Sequence, residues 1–328
     1  MQPSTDWKEQ VAPDEAERFE GYAREFAAMQ QRKSAKFNNG RALHRKQLLA
    51  LKAELEVFPD LPEAARNGLF ALPGKHEAWV RLSNGGTDRA ADAKPDIRGF
   101  AIKVFGVQGP SAMDDGDATS QDFLLINHSA FGFPKSDEFV GLAIAAGKGG
   151  GGLLKYLFGR YGLVGAVKLM ARFAGTLSKP FNGFALETFF SAAPIACGAY
   201  AARVRLVPDN QSSQAADKKD WAQDLKRHLA KGALRFDFQL QFFVNEASTP
   251  IEDASVDWPE SVAPYVTVAR LSIPQQEFSD AAARQFDAQV EAAIFDPWPG
   301  LMAHRPLGDV MRARKVVYFA SEKARGAL

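Results

Sequence analysis

The sequence predicts an α+β fold in which an antiparallel β-barrel or sandwich carries helical ends. Two strands alternate cleanly. Phe236, Phe238, Leu240 and Phe242 interleave with Arg235, Asp237, Gln239 and Gln241, and Tyr200, Ala202, Val204 and Leu206 interleave with Ala201, Arg203 and Arg205. A period of two with one apolar side is half-buried antiparallel sheet. Weaker strand patterns recur over 79–83, 99–107, 123–129 and 265–273, and many strands at moderate spacing close into a barrel or pair into a sandwich. Helical periodicity marks both ends of the chain.

Residues 13–31 read as an amphipathic helix. Pro13 suits a first turn, Asp14 and Glu15 suit its positive end, and Phe19, Tyr22, Phe26 and Met29 share a face. Late in the chain Phe286, Val290 and Ile294 recur every fourth residue after a cap at Ser279, until Pro297 and Pro299 break the pattern. A last helix is expected over 308–324, and the polar stretch 208–217 reads as a surface loop. With no internal repeat and no composition shift, residues 1–328 read as one domain: a helical arm over 1–35, the barrel with inserted helices over 36–275, and C-terminal helices over 276–328.

Composition excludes several classes. At 46% hydrophobic residues the 328-residue chain can build a sizeable core, and a net charge of +1 gives no pull toward nucleic acid. The single cysteine, Cys197, can form neither an internal disulfide nor a thiolate metal site; in an apolar run it reads as a buried small hydrophobe. The N-terminus lacks a basic patch followed by an apolar run, and no stretch of about 18 apolar residues occurs, so a cytoplasmic location is expected. Gly147–Gly152 matches G-x-G-x-x-G literally, but no acidic residue lies between Glu138 and Glu187, where a dinucleotide site needs one. Asp114, Asp115, Asp117 and Asp122 are misspaced for a calcium loop, and His76, His128, His228 and His304 for a zinc helix.

The residues that carry chemistry lie elsewhere. Arg314, Tyr318 and Arg325, at i, i+4 and i+11, point in nearly one direction on a helix. A tyrosine between arginines is disposed to ionise, and a phenolate can ligate ferric haem. Taken alone, this is also the pattern of a basic surface helix. Arg41 precedes His44 by three residues. Arg81 and Ser83 share one face of a strand whose other face carries Val80 and Leu82, and a buried strand arginine needs an anion.

Together these motifs resemble the haem catalases. Arg314–Tyr318–Arg325 resembles their proximal R-x-x-x-Y-x6-R pattern, and Arg41-x-x-His44 their distal R-x-x-H. Arg81-Leu82-Ser83 is similar to their R-F-S strand, Asp96–Lys103 to D-P-R-G-F-A-V-K, and Asp122–Asn127 to the strand ending at the distal asparagine. The order along the chain is the catalase order. The chain is shorter than a typical catalase and resembles the small catalase-related group that lacks long wrapping arms; Pro250–Ala254 and His304–Gly308 look like that group too.

The resemblance implies an antiparallel barrel enclosing haem b, with a C-terminal helix carrying the proximal tyrosine. Tyr318 would be the ligand of ferric iron and Arg314 would keep it ionised. His44 would be the distal acid–base group, Asn127 would orient the peroxide and Ser83 would position His44. Arg41, Arg81 and Arg325 would bind the propionates, and Phe131 would pack on the haem. The sequence departs from the family pattern at Leu82 and at Arg45-Lys46-Gln47, where larger catalases have a glycine-containing turn; Leu43 resembles the apolar residue of true catalases rather than the threonine of their allene-oxide-forming relatives.

The expected activity is peroxidase action on organic or lipid hydroperoxides with weak catalase activity on hydrogen peroxide. A fatty-acid hydroperoxide lyase or isomerase and a non-enzymatic haem-binding protein are the alternatives. Residues 139–186 hold six basic residues (Lys148, Lys155, Arg160, Lys168, Arg172, Lys179), no acid, and interleaved apolar residues. That composition fits peripheral membrane contact, an entrance for a fatty-acid hydroperoxide, or a helix packed on the barrel with its charges in water. Homo-oligomer formation is left open.

Overall fold

The computed structural model describes residues 2–177, 179–209, 217 and 219–328. The expected loop over 208–217 therefore lies largely outside the described residues. Nine strands form one antiparallel sheet: β1 (Lys46–Val57), β2 (Gly74–Asn84), β3 (Arg98–Phe105), β4 (Ser120–Ile126), β5 (Phe189–Phe190), β6 (Ile195–Cys197), β7 (Tyr200–Pro208), β8 (Leu234–Phe242) and β9 (Tyr265–Ile273). Their order is β5-β4-β3-β2-β1-β9-β8-β7-β6, and a further β5–β7 pairing closes eight of them into a barrel, with β6 attached outside the ring. The helices are α1 (Glu15–Phe37), α2 (Ser136–Gly147), α3 (Gly150–Leu177), α4 (Trp221–Leu229), α5 (Ala281–Ala292) and α6 (Asp309–Arg325).

The alternation that predicted β7 and β8 fills the barrel. Leu51, Leu55, Val80, Leu82, Phe100, Ile102, Phe123, Leu125, Leu206, Phe236, Phe238 and Leu271 all belong to one buried cluster. An eight-stranded barrel has an interior just wide enough for its own side chains. His304 joins this packing: its Nε2 accepts the Leu69 N–H at 3.0 Å, its Nδ1 lies 3.2 Å from Ala196 O, and burial holds it neutral, at about 4. Cys197 is buried as expected, its thiol pushed up to about 12 by burial.

Among the described residues, side chains pack the barrel interior, and the cleft described below lies on its outer face. Several element bounds differ from expectation. The strand expected over 123–129 ends at Ile126. The cap of α5 is Asp280, whose side chain accepts the Ala283 N–H at 2.7 Å, rather than Ser279, and Ile294 lies beyond the helix end. β1 was not anticipated: its Lys, Leu, Ala and Glu residues are helix formers, although Leu49, Leu51, Ala53, Leu55 and Val57 keep a period of two.

α1 and α6 pack together beside β2–β4. The polar tie at their N-terminal ends is Arg312, which donates to Glu9, Glu15 and Glu252 at 2.8–3.1 Å. Gly326, left-handed at φ 72°, ends α6 just past Arg325.

Candidate active site

Strand pleat decides which residues face the cleft. The side chains of Val80, Leu82, Ile102 and Phe123 point into the barrel, so Arg81, Ser83, Gly99, Ala101, Leu124 and Ile126 point out, beneath α1, α2 and α6. The cleft between sheet and helices holds about 1390 Å³ of atom-free space, including its mouth. Phe26, Phe131, Phe139, Val140, Phe295 and Val317 give it an apolar lining.

His44 stands on the sheet side. Its backbone is left-handed, φ 49°, which is uncommon outside glycine and costs strain that surrounding contacts must hold. Those contacts are present. The His44 N–H bonds Gly85 O at 3.0 Å, and Arg81 Nη2 donates to His44 O at 3.0 Å. The next residue, Arg45, is fully buried and donates to Asn38 O, Gln30 O and Ser34 Oγ, tying the turn to α1. His44 Nδ1 lies 2.9 Å from Ser83 Oγ, which leaves Nε2 without a hydrogen-bond partner among the described residues. Burial holds the imidazole down at about 3, and the charges of Arg81, Arg314 and Arg41 act in the same direction, so it is neutral at ordinary pH.

Gly99 makes room for this pair. A Cβ there would sit 2.5 Å from His44 Nδ1 and 2.7 Å from Ser83 Oγ. Gly99 falls within the Asp96–Lys103 motif, but only the β2–β3 register, which sets Ser83 opposite Gly99, explains why it must be glycine.

On the helix side, Arg314 Nη2 donates to Tyr318 Oη at 2.7 Å, and its guanidinium lies 4.8 Å from the tyrosine ring centre. Both side chains line the cleft. One turn beyond Tyr318, Glu322 also lines it, with no hydrogen bond to its carboxyl among the described residues. Burial pushes that carboxyl up to about 7, against the opposing charges of Arg325 and Arg41. Asp296 is likewise pushed up to about 7, first by burial and then by the charge of Glu322.

Arg41, Arg81 and Arg325 come together at the cleft edge, but each already has protein partners. Arg81 Nε and Nη2 donate to Glu291 Oε2 at 3.2 and 2.9 Å, and Arg41 Nη1 reaches the same oxygen at 3.1 Å. Arg41 also bonds the carbonyls of Glu291 and Ala293, and Arg325 those of Ala292 and Ala293, at 2.6–2.9 Å. Three arginines thus grip the C-terminal end of α5, where the helix presents unpaired carbonyls and its negative pole. Glu291 was missed in the sequence because it lies 210 residues from Arg81 and belongs to no local motif.

Asn127 does not reach the cleft. The strand ends at Ile126, on the cleft face, and the lining resumes at Phe131. Asn127 instead closes the β3–β4 ladder: its Oδ1 accepts the Arg98 N–H at 2.7 Å and its own N–H bonds Arg98 O at 3.2 Å. Phe131 does line the cleft, its ring 4.8 Å from that of Phe139.

No family model matches the chain, and no curated protein does. Solved structures do match in fold. A fungal catalase superposes with a TM-score of 0.68 at 19% identity, over 87% of this chain and 59% of that one. Catalase A from Saccharomyces cerevisiae gives 0.66 at 16% identity, over 87% and 61%. A bacterial catalase gives 0.63 at 16% identity, over 87% and 57%. The chain has the catalase fold and spans about three fifths of the length of these structures.

Proposed function

We propose that this protein is a haem-dependent, peroxide-decomposing oxidoreductase, with Tyr318 as the iron ligand and His44 as the acid–base group. The observation that carries this reading is one cleft with a Ser83-held, neutral His44 on its sheet side and an Arg314-held Tyr318 on its helix side. The donor set suits haem b. Arg314 favours the phenolate that ferric iron takes, the apolar lining suits a macrocycle, and Arg41, Arg81 and Arg325 would meet its carboxylates by charge-assisted hydrogen bonds.

When bound, haem would supply the redox-active iron at which a peroxide is reduced. The chain's own residues manage the proton and the substrate. His44 Nε2 takes the proton from the incoming hydroperoxide and delivers it to the leaving oxygen, which departs as an alcohol or as water. Ser83 fixes the ring so that Nε2 rather than Nδ1 meets the substrate. The apolar wall of Phe26, Phe131, Phe139 and Val140 favours alkyl hydroperoxides over hydrogen peroxide, so the finer reading is an organic peroxidase that returns to its resting state at the expense of a small-molecule reductant.

Reconstitution with haem followed by an optical spectrum tests the reading. A ferric high-spin tyrosinate spectrum at one haem per chain is expected, with a fatty-acid hydroperoxide converted to its alcohol. Aldehydes or an allene oxide would replace the peroxidase reading with a lyase or isomerase, and no stoichiometric haem would end both. A non-catalytic haem-binding role is the second reading, favoured by Asn127 standing off the cleft.

The same reading extends to lipid. α3 packs on α2, which lines the cleft, and breaks at Gly162 (φ 64°). Its outer faces expose Leu154, Phe158, Leu163, Val164 and Val167 beside Lys155 and Lys168. No helix among the described residues is long and apolar enough to cross a membrane, so this face would lie on an anionic surface and draw lipid hydroperoxides from it. Binding to phosphatidylglycerol vesicles at low salt, and not to phosphatidylcholine vesicles, is expected; indifference to both would sink the membrane extension.

A further inference from the structure

Arg41 and Arg81 line the cleft, yet the carboxylate they share, Glu291, does not. Glu291 reaches them from behind, from the last turn of α5. It is the only carboxylate within ion-pair distance of either arginine among the described residues. The Arg81 side chain is only 3% exposed and that of Arg41 14%, so water neutralises neither charge well. Arg89, 44% exposed, approaches the other Glu291 oxygen at 3.8 Å. A buried cation with one counter-ion responds strongly to that counter-ion's removal.

We propose that Glu291 sets the strength of the anion seat in the cleft: it neutralises Arg41 and Arg81 from outside, stabilises the ligand-free protein, and weakens capture of a ligand bearing carboxylates. A ligand carboxylate entering from the cleft meets guanidiniums already half-compensated. With Glu291 uncharged, the same guanidiniums hold more unbalanced charge and attract an anion more strongly. That the ligand is haem rests on the preceding reading; the anion seat itself does not.

Glu291→Gln keeps the size and one accepting oxygen but removes the charge. Haem, haem dimethyl ester (its carboxylates blocked) and inorganic sulfate are titrated into apo wild type and variant, following tryptophan quenching for the haems and Tm for sulfate. The variant is expected to have a lower Tm without ligand, a larger Tm gain with sulfate, and about tenfold tighter haem binding with the ester unchanged. Arg89→Ala, an exposed position, frees Glu291 for the inner arginines and is expected to shift the sulfate response the other way. Equal or weaker sulfate and haem responses in Glu291→Gln would overturn the inference, as would a tightening shared by the ester. If neither protein takes up haem but the sulfate difference persists, the haem reading fails and the anion seat stands.

Discussion

The two walls of the cleft are built differently. On the sheet wall each polar group has a fixed partner: His44 with Ser83, Arg81 with Glu291 and His44 O, and Gly99 leaves the space in which they meet. The helix wall holds Tyr318 through Arg314 but leaves the Glu322 carboxyl without a hydrogen bond among the described residues. The sheet wall is thus preorganised and electrically quiet near neutral pH, since His44 is held down at about 3. The helix wall carries a group that titrates there, Glu322, pushed up to about 7. The sheet wall is suited to proton transfer in fixed geometry, whereas the helix wall changes charge near neutral pH.

The strongest test of this division separates retention from turnover. His44→Ala is expected to leave haem binding nearly intact and to lower peroxide turnover by about 10²–10⁴-fold, the usual contribution of a positioned acid–base group. Tyr318→Phe is expected to do the reverse first, weakening haem retention and abolishing the tyrosinate spectrum. Haem content and initial rates measured on the same preparations check both. Undiminished turnover in His44→Ala would dissolve the difference between the walls and sink the acid–base role of His44.

A smaller change probes the sheet wall alone. Gly99→Ala places a Cβ 2.5 Å from His44 Nδ1, so either the ring or β3 must shift. A displacement of about 1 Å at a catalytic group costs on the order of 100-fold in rate. Turnover is expected to fall by about that factor with the haem spectrum unchanged, because the tyrosine side is not touched.

The sequence was legible where its pattern was local. β7 and β8 alternate charged or polar residues with apolar ones, and α6 repeats arginine and tyrosine at helical spacing, so these elements could be read directly, β9 more weakly; Arg314, Tyr318 and His44 were singled out by motif, and all three line one cleft. β2 shows where reading stops. Val80 and Leu82 fill the barrel while Arg81 and Ser83 are buried under helices, so both faces are covered and the pattern cannot say which is the interior. Asn127 lies one residue past the end of β4, where it closes the β3–β4 ladder instead of lining the cleft. Glu291 matters only through partners distant in the chain, and no spacing rule reaches it; Gly99 lies in the Asp96–Lys103 motif, but the reason for it is the distant His44–Ser83 pair.

The smallest expected effect is in pH dependence, where the walls have opposite signs. The His44 imidazole is held below its ordinary value of 6.5, so the unfolded chain binds the proton that the folded protein refuses between about 6.5 and about 3. Its contribution to stability is present above 6.5 and is lost as pH falls through that window; His304, at about 4, adds the same sign. Glu322 is raised from 4.5 to about 7, so the folded protein keeps a proton that the unfolded chain releases. Its contribution is present below 4.5 and is lost as pH rises to about 7, and Asp296, raised from 3.8, behaves alike. Glu322→Gln is therefore expected to raise the Tm of the ligand-free protein at pH 8 by about 2–4 °C and to leave it unchanged at pH 4.5. Scanning calorimetry across pH 4–9 separates the limbs. A variant that gained equally at both ends would show that Glu322 is merely poorly packed, whereas a gain confined to the alkaline limb would assign the neutral-pH titration to the helix wall.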